Sequence, residues 1–552
     1  MYRPAILLLA SLLPAASPDP VRARRAMVVS REDHATQAGL RVLQQGGNAI
    51  DAAVAVGFAL AVTHPAAGNI GGGGFLLVRF ADGRAVFLDF RERAPERASA
   101  RMFLDADGKL HADANAGYHA AGVPGTVRGL EHAHKKWGRK PWSELLQPAV
   151  DLAAKGFPVS WDLSRSLQSK LLARFPESRR IFQRDGRHYE MGETLQQPDL
   201  ARTLTRIARH GSADFYEGET ARLLAADMAG SGGLITLDDL RRYQPVEREP
   251  LRGSYRGYDI LTAPPPSSGG AGILQMLAML EGSGYERAGH GSAASIHYLT
   301  EVMRRYFADR ARYFGDPDFS KIPASELTSR DYAHRRRASI VSDRATPSAD
   351  IAPGPVPGFE SSQTTHYSIV DPDGNAVAVT YTLNAGYGCG ATAQSLGFLL
   401  NNEMGDFSPG PGVPNSAGLL TSEANAIQPR KRPLSSMTPT MVTRDGKLAL
   451  VAGSPGGPTI INTVLLVLLS VLDFGMNVQR AVDSPRFHHQ WMPDDLRLEE
   501  GGFSPDTVDL LRARGHTIRF VRSQGDAAAI HLQDGWLLGA ADPRGDGTAR
   551  GF

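Results

Sequence analysis

Only one cysteine, Cys389, occurs among 552 residues, so a disulfide within the chain is excluded. A surplus of charge is also missing. The 60 Lys and Arg stand against 58 Asp and Glu, a net charge of +2, which offers no strong field to nucleic acid or to a charged membrane surface. No apolar run reaches the roughly 20 residues of a spanning helix: Ala5–Leu13 is too short, and Ile460–Leu472 is interrupted by Asn462, Thr463 and Ser470. The glycine-rich stretch from Gly68 to Phe75 lacks the Lys-Ser/Thr of a phosphate loop, which leaves close backbone packing as its reading. Ser454 has Ala452 where a nucleophile elbow requires its first glycine. Asp238, Asp239, Asp309 and Asp316 are scattered without metal-ligand spacing and read as solvated or capping residues. The neighbouring His488 and His489 point apart if extended, and read as structural. No internal repeat is evident.

What is present is globular, with 42% hydrophobic and 21% charged residues. Met1 to Ser17 has the pattern of an export signal: Arg3, an apolar run, then Ala15-Ala16-Ser17. Ser30 is placed to cap a helix ending near Gln45, and Asn48 to cap an all-apolar, buried helix to Val62. Strands are expected at 75–80, 85–90, 397–402 and 448–452. The middle, from about Leu130 to Arg344, reads mostly as helices, and Ala345 to Gly358 as a loose tail. Pro409 to Pro433 reads as a long loop in which Arg430-Lys431-Arg432 is solvated. Ile460–Leu472 reads as a buried helix, and the last 57 residues (496–552) as strands around one helix.

The densest signal runs from Gln363 to Asn384. Alternating apolar residues flank Asp371-Pro372-Asp373-Gly374, the composition of a β-hairpin turn. If Asp371 faces Asn375 across a three-residue loop, the same register sets Thr364 opposite Thr382, with Cβ atoms about 5 Å apart. A bulge at Gly374 would shift this by one residue. A threonine hydroxyl is a weak nucleophile because it is protonated at neutral pH. A chain-terminal α-amine, with a pKa of about 7.7–8.0, can take its proton, and an amide nitrogen cannot. Farther along, the glycine amides of Gly453-Ser454-Pro455-Gly456-Gly457 open a helix and suit an oxyanion. Arg91, just past an apolar strand, is a forked donor suited to a carboxylate. Glu403 and Asp406 suit either a cation or an ammonium group.

The order Gln363-Thr-Thr-His-Tyr-Ser368, Asp373-Gly-Asn-Ala-Val-Ala-Val-Thr380 and Tyr381-Thr-Leu-Asn384 resembles the processing site of the γ-glutamyltransferases, which are N-terminal-nucleophile hydrolases. The resemblance runs from about Ala26 to the end. It implies an α+β fold, a four-layer αββα sandwich of two mainly antiparallel sheets between helices. It implies three segments: a signal peptide (1–17), a large subunit (18–363) and a small subunit (364–552), the last two forming one intertwined heterodimer after cleavage between Gln363 and Thr364. Thr364 is then the nucleophile and Thr382 its helper hydroxyl. Asn384, Glu403 and Asp406 surround the substrate α-amine. Arg91, Ser435 and Ser436 grip its α-carboxylate, and Gly456 and Gly457 form the oxyanion hole. The implied substrates are glutathione and other γ-glutamyl compounds, with water, amino acids or peptides as acceptors. No cofactor or metal is implied, and the expected location is outside the cytoplasm. Departures are Ala417 where an aromatic residue is expected, Gly405 where Asp is common, and Cys389 where a small hydroxyl residue is usual. The rival readings are an acylase on the same fold, acting on glutaryl-cephalosporin or poly-γ-glutamate, an uncleaved envelope binding protein, and a metal hydrolase, which chelator-resistant activity would remove.

Overall fold

The computed structural model describes residues 17–351, 364–410, 413, 415 and 423–552. Two seven-stranded antiparallel sheets stack face to face. The first carries, in spatial order, Thr548–Gly551, Met27–Ser30, Thr365–Val370, Ala376–Thr382, Gly73–Arg79, Ala85–Phe90 and Val246–Arg248. The second carries Val21–Ala23, Trp536–Ala541, Ala528–Gln533, Lys447–Gly453, Thr440–Arg444, Tyr258–Thr262 and Leu251–Tyr255. Both sheets therefore draw strands from both sides of residue 364.

Side-chain alternation divides the layers. On Gly73–Arg79, Leu76 and Val78 join the core beneath the helices, while Phe75 and Leu77 face the core shared with the second sheet. The first helical layer includes Ala49–Thr63, in which every residue is buried. The second includes Gly269–Leu280, Ala293–Tyr313 and Thr459–Leu472. This is the αββα sandwich expected from the resemblance.

The hairpin holds the proposed register without a slip. Thr365 pairs with Tyr381 and Val370 with Ala376, Asp371 N donates to Asn375 O at 3.0 Å, and Gly374 takes the positive φ of 85° that the turn requires. Asp371 does more than start a turn. Its carboxylate accepts from the amides of Asp373, Asn375 and Ala49 and from the Asn375 side chain, at 2.9 to 3.0 Å. It thus ties the hairpin to the start of the buried helix. Tyr367 and Tyr381 complete the attachment, each donating a 2.9 Å bond to a carbonyl of that helix. Asp371→Ala should lower unfolding stability by about 3 kcal/mol or more, since bonds to a charged acceptor are worth about 1.5–3 kcal/mol each. Urea unfolding of parent and variant measures it.

The glycine-rich stretch packs backbone on backbone. A Cβ on Gly72 would lie 2.0 Å from Thr382 O, and one on Gly74 2.4 Å from Thr380 O. Asn69 supports the same contact, its side-chain amide donating to Thr382 O at 2.9 Å.

Several expectations are corrected. The first helix is Asp33–Gln44, capped by the Glu32 carboxylate, because Ser30 is held in the sheet opposite Thr548. The middle also contains the hairpin Leu251–Tyr255/Tyr258–Thr262, turned at Arg256-Gly257, both at positive φ. Residues 397–402 form no strand; a single bridge joins Thr392 to Leu399. Asp309 and Asp316 are buried rather than solvated: Asp309 meets Arg336 at 3.1 Å, and Asp316 accepts the Arg432 amide at 2.8 Å. Lys431 and Arg432 are buried too, Arg432 lying 3.3 Å from Asp89. Only Arg430 of that trio reaches solvent. Gln363, Ala417, residues 1–16 and the 352–358 half of the expected tail lie outside the described residues; the 345–351 half is anchored rather than loose, with Ala345 N donating to Arg514 O, Thr346 N to the Glu301 carboxylate, and Ser348 and Ile351 buried.

Candidate active site

The register that opposes Thr364 and Thr382 brings their hydroxyls together, Thr364 Oγ1 donating to Thr382 Oγ1 at 3.4 Å. Thr382 Oγ1 also accepts the Asn384 amide at 2.7 Å. That bond is possible because Asn384, at a φ of 74°, turns the chain sharply after the strand. Asn384 in turn donates from its side chain to Asn402 O at 3.1 Å. Nucleophile candidate, helper and ligand candidate are thus fixed by one hairpin end.

A small cleft beside Thr364 is lined by Arg91, Thr382, Asn384, Glu403, Asp406, Ser435, Ser436 and Gly457. Gly456 precedes Gly457 outside that lining. The pair has positive φ values of 135° and 55°, and their carbonyls accept the first amides of helix Thr459–Leu472. The glycine-to-helix entry thus places amides at the positive helix end next to the cleft. Ser454 is turned away, its hydroxyl bonding Pro455 O and the Asp526 amide. Cys389 is buried, and burial pushes its thiol up to about 12.

Charge in the cleft is arranged differently from the expected division. Arg91 was expected across the substrate from Glu403 and Asp406, but it contacts both, with N–O distances of 2.8 Å to Glu403 and 2.6 Å to Asp406. It also donates to the carbonyls of Pro433 and Leu434. A third carboxylate, Glu92, lies 3.7 Å from the same guanidinium and is fully buried. Three acids therefore surround one base. Desolvation raises the pKa of Glu92 to about 8 and that of Glu403 well above the usual carboxylate range, against the pull of Arg91.

This sets a pH dependence. In the unfolded chain Glu92 loses its proton near its ordinary value of 4.5, whereas the folded protein holds it to about 8. The folded state then binds more protons, so stability falls as pH rises through that window. Glu92→Gln removes this contribution. Relative to the parent, its thermal midpoint should rise between pH 4.5 and 8, and a calorimetric pH series of both proteins reads the difference.

Three residues of the site escaped the sequence reading. Glu92 directly follows Arg91 in Asp89-Phe90-Arg91-Glu92 and so had a local signal. Asn415, which donates to Asp406 O at 3.0 Å, and Arg310, which donates to Ser436 Oγ at 3.0 Å, had none. His488 and His489 are structural, bonded to Asn462 and Asp494. His297, Glu301 and His516 bring potential metal-ligand atoms within 4.8 Å of one another. They are already engaged: His297 bridges His516 and Val341 O, and Glu301 holds Arg305 and the Thr346 amide.

The gamma-glutamyltranspeptidase family model matches residues 35–552. The glutathione hydrolase proenzyme of Escherichia coli K12 is 49% identical over 530 residues, covering 95% of this chain and 91% of that protein. Among solved structures, the cephalosporin acylase of Bacillus halodurans superposes with a TM-score of 0.86 at 28% identity, covering 100% of this chain and 99% of that one. The gamma-glutamyltranspeptidase of Helicobacter pylori gives a TM-score of 0.58 at 43% identity, covering 62% of this chain and 97% of that one.

Proposed function

This chain belongs to the γ-glutamyltranspeptidase family, and from that premise we propose how its residues carry out the chemistry. The protein is a self-processing γ-glutamyltransferase and glutathione hydrolase. In the precursor, Thr364 Oγ1 attacks the carbonyl carbon of Gln363. The Gln363–Thr364 amide becomes an ester, and water hydrolyses it. The fragments 18–363 and 364–552 stay together through their shared sheets, and Thr364 gains a free α-amine.

That amine takes the Thr364 hydroxyl proton as Oγ1 attacks the γ-carbonyl of the donor. The Gly456 and Gly457 amides stabilise the oxyanion. The amine leaving group departs with the proton returned from the α-ammonium, leaving a γ-glutamyl ester on Thr364. Water or an acceptor amine, deprotonated by the same base, then releases glutamate or a new γ-glutamyl compound. Thr382 orients the attacking hydroxyl. Asn384, Glu403 and Asp406 receive the donor's α-ammonium, and Ser435, Ser436 and Arg91 its α-carboxylate.

The observation that carries this reading is the Thr364–Thr382 hydroxyl pair opening onto a cleft with both an acidic and a hydroxyl-lined side. The three carboxylates around one guanidinium suit a ligand that brings its own cation, and so favour an amino-acid head over a plain glutaryl group. The test uses three anilides: γ-glutamyl, α-glutamyl and glutaryl. Aniline release should be fast only from the first, and an added dipeptide should divert the glutamyl group from water. Equal or better turnover of the glutaryl anilide would favour the acylase reading.

Among the described residues no helix is long and apolar enough to cross a membrane. The Met1–Ser17 pattern supports export to the periplasm or the exterior. The N-terminal sequence of the large fragment recovered from the cell envelope tests it.

A further inference from the structure

Arg310 stands near the end of helix Ala293–Tyr313, well before the nucleophile in sequence, yet it lines the same cleft as Thr364 and is buried. Its Nη2 donates to Ser436 Oγ at 3.0 Å and its Nε to Ser268 Oγ at 2.9 Å. The Ser268 hydroxyl donates in turn to Ser435 O at 2.9 Å. One turn earlier on the same helix, Tyr306 donates to Ser268 O at 2.7 Å. The Ser435–Ser436 pair is therefore held from behind by a helix of the other fragment.

The bond direction matters. Arginine has donors and no acceptor. Ser436 Oγ must accept from Arg310, so its own hydrogen points elsewhere and can serve an incoming acceptor. The charge balance points the same way. Arg91 already faces Glu403 and Asp406, with Glu92 close by, so its donors are engaged and a ligand carboxylate approaching Arg91 alone meets acid oxygens around it. A second buried guanidinium stands beside Ser436 on the hydroxyl-lined side.

Building on the γ-glutamyl reading above, we infer that Arg310 is a positioning and specificity residue for the donor's α-carboxylate: it fixes Ser436 as a hydrogen donor and supplies the second positive charge on that side. The reaction itself proceeds at Thr364, so the effect falls on recognition.

The experiment compares a γ-glutamyl anilide with the analogue whose α-carboxylate is a carboxamide, using processed parent, Arg310→Met and Arg310→Lys. The parent should prefer the carboxylate form strongly. In Arg310→Met, kcat/KM for the carboxylate form should fall about 10- to 100-fold, the range expected for one charge-assisted bond. Most of the fall should lie in KM, and the carboxamide form should change little, so the preference collapses. Arg310→Lys should recover part of it. Equal losses on both compounds, or an undiminished preference, would overturn the inference. Should Arg310→Met fail to accumulate as two fragments, the same ratio in Arg310→Lys decides: a reduced preference supports the inference and a full one contradicts it. A parent that turned over neither compound would instead bring down the γ-glutamyl reading itself.

Discussion

Thr364→Ala should accumulate as one uncut chain without measurable turnover of a γ-glutamyl anilide. The loss is large because a single hydroxyl serves two reactions: it opens the peptide bond before residue 364, and it forms the ester with the donor. Without the first, the α-amine that serves as base is never released, so the variant loses nucleophile and base together. Rate losses of about 10⁴-fold or more accompany removal of an activated nucleophile. Thr364→Ser separates the roles, since it keeps the hydroxyl. It should still cut itself, more slowly, and retain a measurable fraction of activity. The fold should survive in both variants, because residue 364 precedes the paired strand Thr365–Val370. Far-ultraviolet circular dichroism and a denaturing gel of each protein check these outcomes. A catalytically competent Thr364→Ala would remove the threonine mechanism altogether.

Arg91→Met should cost both binding and stability. Arg91 is the common partner of Glu403 and Asp406 and lies 3.7 Å from Glu92. Removing one partner of a buried ion pair typically costs about 3–5 kcal/mol, because the remaining charge is left uncompensated. The acids relieve this by taking up protons, so the deficit must depend on pH. Up to about pH 8 the folded parent and the folded variant both hold the Glu92 proton, so this carboxyl adds no difference between them. Above that the parent's Glu92 ionises beside Arg91 while the variant's has no guanidinium to face, and the deficit grows. For catalysis, loss of the guanidinium removes one of the partners proposed for the donor's α-carboxylate and leaves the acids beside it, and kcat/KM should fall about 10³-fold. Arg91→Lys should be intermediate: one ammonium keeps the charge, yet it cannot reproduce the planar fork that spans two carboxylates and two carbonyls. Urea midpoints below and above pH 8, with steady-state rates, read both effects. A stable Arg91→Met protein with unchanged KM would contradict the arrangement of charge described above.

The parts of the site that were legible in the sequence are local. The hairpin register follows from turn chemistry within a few residues, and it alone brought Thr364 to Thr382. Asn48, the buried Ala49–Thr63 helix and the glycine-rich stretch were legible for the same reason, since capping, apolar content and absent side chains act over short distances. What escaped depends on distant partners. Arg432 looks solvated in a Pro/Gly-rich loop until Asp89 and Asp316 are brought to it from elsewhere in the chain. Ser30 is as good a helix cap as Glu32 until the C-terminal strand pairs with it. Arg310 is one basic residue in a long helix until Ser268 and Ser436 converge on it. The contact of Arg91 with Glu403 and Asp406 was missed for a related reason. Each residue type suited the opposite charge on a substrate, and in the structure they first satisfy one another.

The central claim is that a new chain end is made at Thr364, and it is tested most directly on the purified, active parent protein. Intact-mass measurement with N-terminal sequencing should find two fragments, the smaller starting Thr-Thr-His-Tyr with an unblocked amine. Full γ-glutamyl activity in a sample whose mass is that of a single uncut chain would contradict the account, because the base assigned to Thr364 would not exist.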